Sequence, residues 1–185
     1  PSWRDALELT RDNLIVKQPV HFDVGGLGKT PTSIGLLTDP ERLPAFIVCP
    51  NSLVDQWCNE QIPKFMPGAK VHAIKSRKAY PLPVADIYVA PYSRISGWGD
   101  VFAPKTSPSP LRTVIYDEVQ ELRREDSDKY RMARRLADVV PARFGLSATP
   151  IYNYGEEFYP VIQCIRPDAL GSRHEFYREW CYFKG

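Results

Sequence analysis

The chain has 185 residues, 43% of them hydrophobic and 25% charged, which is the composition of one globular domain with a sizeable core. There are 24 basic and 22 acidic residues, so the net charge of +2 neither requires nor excludes nucleic acid, and any DNA-binding surface must be local. No apolar run is long enough to cross a membrane, and no pair of the four cysteines has the C-x-x-C spacing of a zinc site.

The first predicted elements lead into a glycine-rich turn. Apolar residues between Trp3 and Leu14 follow helical spacing and predict a first helix. Residues 20–23 predict a strand, and residues 31–37 predict a helix on the other side of the turn. In this arrangement several backbone N–H groups point at one spot, where the positive end of the helix dipole also attracts phosphate.

This turn is therefore predicted to bind a nucleotide. Lys29 is expected to reach the β- and γ-phosphates, and the Thr30 hydroxyl is expected to ligate Mg²⁺, with a plain helix cap as the alternative role for Thr30. Glycine suits the turn because the backbone there needs positive φ or a close approach. Walker A has glycine where this chain has Asp23, so a glycine-rich turn with an exposed lysine is the competing interpretation. The predicted nucleotide-binding residues are Asp23, Gly25, Gly26, Leu27, Gly28, Lys29 and Thr30.

Strands and helices alternate along the rest of the chain. Residues 45–49 are apolar throughout, as in a strand buried on both faces of a parallel sheet. Alternation of this kind predicts a three-layer α/β/α domain with a mainly parallel central sheet and no internal boundary over residues 1–185. The other predicted strands are 71–74, 86–90, 113–116 and 143–147; the predicted helices are 52–65, 130–140, 155–165 and 174–182; and residues 97–110 are predicted to form a mobile surface loop.

Two acids follow the predicted strand at 113–116. Ligands of α/β sheets bind at the carboxyl ends of strands, so Asp117 and Glu118 are expected near the glycine turn. Asp117 is predicted to hold Mg²⁺, commonly through water, and Glu118 is predicted to polarise the attacking water. A helix cap is the alternative role for Glu118.

Taken together, these segments resemble the Swi/Snf-related branch of the superfamily-two helicases, and their order and spacing agree over nearly the whole chain. Residues 23–30 are similar to the DEMGLGKT of that branch, which itself has Asp in place of the Walker A glycine. The other similar segments are 47–60 (motif Ia, VCPxSLLxxW), 86–92 (motif Ib), 117–120 (the DEAH box) and 146–157 (motif III and its TGTPxxNxxxEL continuation).

The resemblance implies the first RecA-like lobe of an ATP-driven DNA translocase that uses ATP and Mg²⁺. It also implies a second RecA-like lobe, whose motifs IV to VI do not occur in residues 1–185, and which supplies arginine fingers. We therefore expect this chain to be part of a longer protein and to be nearly inactive alone. Duplex DNA is the expected partner of a monomeric lobe that contacts no membrane and lies in a prokaryotic or viral cytoplasm or nucleoid, or in a nucleus.

The resemblance assigns further roles. Ser52 and Tyr92 are expected to donate hydrogen bonds to a DNA backbone, and a helix cap is the alternative for Ser52. Gln120, Ser147 and Thr149 are expected to couple the nucleotide to the DNA contacts, unless they only tie neighbouring loops together. Trp57 is expected in the core rather than as a base-stacking platform. A solvated helix face is expected for three arginines, with DNA or the second lobe as the alternative contact: Arg131, Arg134 and Arg135.

The chain also departs from the family pattern. Trp3 stands where the family has an adenine-reading glutamine, Val24 replaces a glutamate, and Pro91 replaces the threonine of motif Ib. These departures favour a rival function, a nucleotide- or DNA-binding module that has lost turnover, whereas the four polar residues Lys29, Thr30, Asp117 and Glu118 argue against it. The motor of an RNA helicase or of a restriction system is a further alternative.

Overall fold

Six parallel strands form one sheet in the computed structural model, which describes residues 20–22, 28–148, 155–167 and 169–181. The strands are β1 (Val20–Phe22), β2 (Ala45–Cys49), β3 (Val71–Ala73), β4 (Ile87–Pro91), β5 (Thr113–Asp117) and β6 (Ala142–Ser147). Their order across the sheet is β1-β6-β5-β2-β4-β3, and every neighbouring pair is parallel. All six predicted strands are confirmed, and no strand end differs from its prediction by more than one residue.

Helices connect the strands and close the chain. They are α1 (Lys29–Leu36), α2 (residues 54–65), α3 (Gly99–Phe102), α4 (Asp128–Val139), α5 (Phe158–Ile165) and α6 (Arg173–Trp180). Within α2, α-helical Val54–Gln56 and Ile62–Phe65 flank a π-helical stretch, Trp57–Gln61. In the described ranges, no helix has both the length and the hydropathy needed to cross a bilayer. The helix predicted near Trp3 lies outside the described residues.

The sheet is covered on both faces, which confirms the predicted three-layer α/β/α fold. All five residues of β2 are buried, as expected for a central strand with helices on either side. On one face the sheet packs against Ile34 of α1 and Trp57 of α2, and on the other against Met132 of α4 and Val161 of α5.

The N-terminal ends of α4 and α2 differ from the prediction for identifiable reasons. Helix α4 begins earlier than the apolar pattern indicates because the Ser127 hydroxyl accepts a hydrogen bond from the Tyr130 N–H at 3.2 Å and caps it. The predicted cap of α2 by Ser52 is wrong. Ser52 lies inside a 3₁₀ turn, Asn51–Leu53, and α2 begins without a side-chain cap.

The three arginines of α4 bind acids and carbonyls of this chain, although the sequence predicted a solvated face or contacts with DNA or a second lobe. Arg135 pairs with Asp100 at 2.8 Å, and Arg134 donates to the carbonyl of Gln163. Arg131 pairs with Asp128 and remains largely exposed. Two of these three side chains thus join α4 to neighbouring elements.

The predicted mobile loop at 97–110 is partly wrong, because its first half belongs to the core. Trp98, Phe102 and Ala103 are almost fully buried around the short helix α3. The Phe102 ring lies 4.7 Å from that of Phe46 on β2 and 5.7 Å from that of Trp98. Only the stretch 104–110 is mainly exposed.

Replacing Phe102 with alanine distinguishes a core segment from a loop. We expect Phe102→Ala to lower the free energy of unfolding by about 3–5 kcal/mol, the usual effect of removing a buried phenylalanine. Val84 is 89% exposed, so Val84→Ala is the matched control and should change stability by less than about 0.5 kcal/mol. Urea unfolding measures both variants, and equal midpoints for the two would contradict the packing of α3.

Candidate functional site

The candidate site lies where the carboxyl ends of the strands meet the first turn of α1. One pocket at this edge is lined by residues from the start of α1, from the 3₁₀ turn before α2, from α2, from the end of β5 and from the positions that follow β5 and β6: Lys29, Thr30, Leu53, Gln56, Trp57, Gln61, Asp117, Glu118 and Ala148. Four of the residues predicted to bind phosphate, metal or the attacking water therefore line one pocket: Lys29, Thr30, Asp117 and Glu118.

Gly28 shows why the turn before α1 needs glycine. Its φ is 96°, in the left-handed region that other residues rarely adopt, and it is the N-cap of α1. A Cβ placed there would meet nothing within 4 Å, so the backbone conformation, and not a close approach, requires glycine. The other predicted loop residues lie outside the described part of the chain: Asp23, Gly25, Gly26 and Leu27.

Lys29 and Thr30 are the first two residues of α1. Because Gly28 is the N-cap, the alternative in which Thr30 caps the helix is wrong. Helix α1 has no acidic residue in its first turn and no side-chain cap hydrogen bond, so neither of these neutralises the positive end of its dipole. This end of α1 therefore suits an anionic ligand in the pocket.

Asp117, the last residue of β5, is held at three atoms. Its Oδ2 accepts a hydrogen bond from Trp57 Nε1 at 2.9 Å, and its Oδ1 accepts one from the Glu118 N–H at 3.1 Å. The Tyr92 hydroxyl donates to the backbone carbonyl oxygen of Asp117 at 2.9 Å. Asp117 is only 8% exposed, so both its carboxylate and its backbone have a defined orientation.

The electrostatics at Asp117 favour a cation. Burial raises the pKa of the Asp117 carboxyl above its ordinary value, and the neighbouring charge of Glu118 raises this pKa further. The hydrogen bonds from Trp57 and from the Glu118 N–H, together with the charge of Lys29, act in the opposite direction but do not cancel the effect of burial. A second positive charge beside the carboxylate would offset the free-energy cost of keeping it ionised while buried.

Oxygen donors line the pocket beside Lys29. The Thr30 hydroxyl and the Asp117 carboxylate are the hard oxygen ligands that Mg²⁺ prefers, and Glu118 adds a second acid. This donor set, together with the poorly compensated charge of Asp117, fits a magnesium ion.

Glu118 begins a chain of hydrogen bonds that leads away from the pocket. Its φ of 53° is left-handed, which costs a non-glycine residue about 1–3 kcal/mol and is typical of functional sites. Its Oε2 accepts from Gln120 Nε2 at 2.6 Å, and Gln120 Oε1 accepts from the Ser147 hydroxyl at 2.6 Å. Glu118 precedes a 3₁₀ turn, but its side chain makes no cap hydrogen bond there, so the alternative role as a helix cap is wrong.

The residues predicted to contact nucleic acid differ in their exposure to solvent. Ser52 is exposed at the end of the sheet that carries the pocket, where a DNA contact stays a prediction. Tyr92 is 5% exposed and its hydroxyl donates to Asp117, so the prediction that it donates to a DNA backbone is wrong for this arrangement. Thr149 lies outside the described residues. Trp57 is 2% exposed, which confirms the core position and excludes base stacking.

The sequence missed the hydrogen bond between Trp57 and Asp117. Trp57 follows β2 and Asp117 ends β5, and the two strands are neighbours in the sheet. No spacing in the sequence shows that strands separated by so many residues pair, so only the sheet order brings this donor to that carboxylate.

Comparison with known proteins identifies the family. The family model described as SNF2-related domain matches residues 20–183. This chain belongs to the SNF2-related domain family. The family expected from the motifs is therefore confirmed.

The relatives of this SNF2-related chain are longer proteins. An uncharacterised ATP-dependent helicase of Bacillus subtilis, YqhH, is 30% identical over 170 residues, which cover 85% of this chain and 28% of that protein. The DNA repair protein rhp54 of Schizosaccharomyces pombe is 27% identical over 180 residues, which cover 85% of this chain and 21% of that protein. The chain thus spans 21–28% of the length of these two relatives.

A solved structure shows the same fold. The SWI2/SNF2 ATPase core of Sulfolobus solfataricus in complex with double-stranded DNA superposes with a TM-score of 0.79 at 23% identity. The similarity covers 98% of this chain and 38% of that one. The fold of the SNF2-related chain is therefore that of a RecA-like lobe of such a core.

Proposed function

We propose that this SNF2-related chain is the ATP-binding lobe of a motor that hydrolyses ATP while moving along duplex DNA. The observation that carries the proposal is the convergence of Lys29, Thr30, Asp117 and Glu118 on one pocket at the carboxyl edge of the sheet. A cationic side chain, a hydroxyl and two acids beside a helix N-terminus are the groups that phosphoryl transfer requires.

Each group has a separate task in this mechanism. Lys29 and the N-terminal end of α1 bind the phosphates of ATP and favour the charge that develops on them. Thr30 and Asp117 would hold Mg²⁺, which when bound supplies positive charge to the phosphates. Glu118 orients the attacking water and accepts its proton. Burial of Asp117 by Trp57 and Tyr92 keeps solvent away from the back of the site.

The hydrogen bonds from Glu118 through Gln120 to Ser147 support a coupling role. They join the acid beside the water to the end of β6, after which the chain runs on to Thr149. A change at the γ-phosphate that moves Glu118 therefore shifts the end of β6. Thr149 is proposed to transmit this shift to the DNA contacts, and the exposed Ser52 is proposed to contact a DNA phosphate. Phosphate contacts supply most of the affinity for duplex DNA.

A second lobe completes the proposed motor. The described lining of the pocket includes one cationic side chain, Lys29, and no arginine. The relatives extend far beyond the matched region, and the Sulfolobus core that shares this fold was solved with double-stranded DNA. We propose that a second RecA-like lobe of the full-length protein supplies arginine to the γ-phosphate and that the whole acts on duplex DNA in the nucleoid or the nucleus.

The test is an ATPase assay of the full-length protein with duplex DNA, single-stranded DNA and RNA in separate reactions. The proposal expects the largest stimulation with duplex DNA and loss of the stimulated rate in Lys29→Ala. Preferential stimulation by RNA would redirect the proposal to an RNA motor. The absence of any rate in the full-length protein would refute the motor and favour a binding module.

A further inference from the structure

We infer that Trp57 is a positioning residue for ATP hydrolysis: its indole N–H holds the Asp117 carboxylate in the orientation that binds the metal of the nucleotide. The inference rests on the proposed function and adds a residue to it. Trp57 borders the pocket, and the role inferred for it is exercised through Asp117.

The geometry restricts the carboxylate at both oxygens. Trp57 Nε1 lies 2.9 Å from Asp117 Oδ2, and the Glu118 N–H lies 3.1 Å from Oδ1. Because the two donors bind different oxygens, they fix the χ1 and χ2 torsions of the Asp117 side chain. Each ionised oxygen still has a second acceptor site, so the carboxylate keeps lone pairs for a ligand in the pocket.

Tryptophan suits this task because the indole is a donor only. The indole offers one N–H and no acceptor, and it does not titrate. In its hydrogen bond to Asp117, Trp57 is therefore always the donor. Trp57 is 2% exposed and Asp117 is 8% exposed, so water does not readily replace this donor. Partners of this type, which orient a metal-binding carboxylate from behind, typically contribute 10–100-fold to metal affinity or activity.

The backbone of α2 changes at this residue. The π-helical stretch Trp57–Gln61 begins with Trp57 and interrupts an otherwise α-helical segment. Single π-helical turns occur often at functional sites, where they redirect a side chain. Gln56, the residue before this stretch, and Gln61, its last residue, line the same pocket. The local backbone thus places Trp57 under the metal site and its neighbours around it.

The experiment compares Trp57→Phe with the wild-type full-length protein and with Trp98→Phe. Trp98 is also fully buried, and its Nε1 donates to the Ser76 carbonyl at 2.9 Å, so this control loses the same kind of bond away from the pocket. The probe is a fluorescent ADP analogue, titrated with excess Mg²⁺ and separately with EDTA. The ratio of the two affinities reports the metal-dependent part of binding without any turnover.

We expect Trp57→Phe to reduce this ratio about 10–100-fold while affinity in EDTA stays at the wild-type value. Trp98→Phe should keep both values. Trp57→Met also lacks a donor and, with a flexible side chain that adapts to core gaps, should show the same selective loss. Its result decides the question if the phenylalanine variant does not fold.

Three outcomes overturn the inference. A ratio in Trp57→Phe and Trp57→Met equal to wild type would show that the indole N–H does not position Asp117. Equal losses with Mg²⁺ and with EDTA would show a purely structural role. A wild-type protein that binds the analogue neither with Mg²⁺ nor with EDTA would refute the proposed function itself, and the inference with it.

Discussion

Glu118→Gln is expected to lower kcat of the full-length ATPase about 10²–10⁴-fold, the usual contribution of a general base, while ATP affinity stays close to wild type. Glutamine has the same shape, and its amide oxygen still accepts the hydrogen bond that Gln120 Nε2 gives to Glu118 Oε2 at 2.6 Å. The substitution therefore preserves the hydrogen bonds to Ser147 and removes only the group that orients water and accepts its proton.

The matched control for Glu118→Gln is Glu121→Gln, the same substitution one turn further along. Glu121 pairs with Lys129, is 41% exposed and does not line the pocket, so its variant should retain the wild-type kcat. Phosphate release at saturating ATP measures kcat, and a fluorescent ATP analogue measures affinity. A Glu118→Gln protein with wild-type kcat would remove Glu118 from the mechanism, even if Lys29 proved essential.

The isolated lobe, residues 1–185, is expected to hydrolyse ATP about 10³–10⁵-fold more slowly than the full-length protein with duplex DNA, the range attributed to an arginine supplied from outside a nucleotide site. The described lining of the pocket offers Lys29 as its cation but no arginine. The nearby Arg123 interacts with Glu157 and with the carbonyl of Gln120. Charge that develops on the γ-phosphate thus lacks a second cationic partner among the described residues that line this pocket.

Single-turnover hydrolysis at enzyme concentrations above the nucleotide Kd measures this difference without interference from weak binding. The Lys29→Ala variant of the isolated lobe sets the background rate. An isolated lobe that turns over as fast as the full-length protein would show that this chain carries its complete catalytic set, and the proposed role of a second lobe would have to be abandoned.

The motifs along the chain predict several residues of the candidate site. Gly28, Lys29, Asp117 and Glu118 were recognisable because phosphate binding imposes residue types at fixed spacing along one strand-turn-helix or strand-acid unit. The positive φ of Gly28 agrees with the reason given for glycine in the turn.

Predictions about where a side chain points were less successful. The family pattern predicts a DNA contact for Tyr92, yet its hydroxyl donates to the Asp117 carbonyl, because Tyr92 follows β4, Asp117 ends β5, and both strands lie beside β2. The glycines and prolines around Phe102 predict a mobile loop, yet its ring packs against Phe46 of β2. Local composition describes the backbone preference of a segment but not the surface on which it packs.

The order of residues along the chain was thus sufficient to predict the alternation of strands and helices, the family, and the lysine and acids proposed to bind phosphate and metal. Each of these depends on neighbours along the chain. The hydrogen bonds of Trp57 and Tyr92 to Asp117, and of Gln120 to Ser147, arose from the order β1-β6-β5-β2-β4-β3. That order depends on which buried surfaces pack together over the whole fold, and no spacing between residues encodes it. For this reason the donors that orient the Asp117 carboxylate and its backbone follow from the assembled sheet alone.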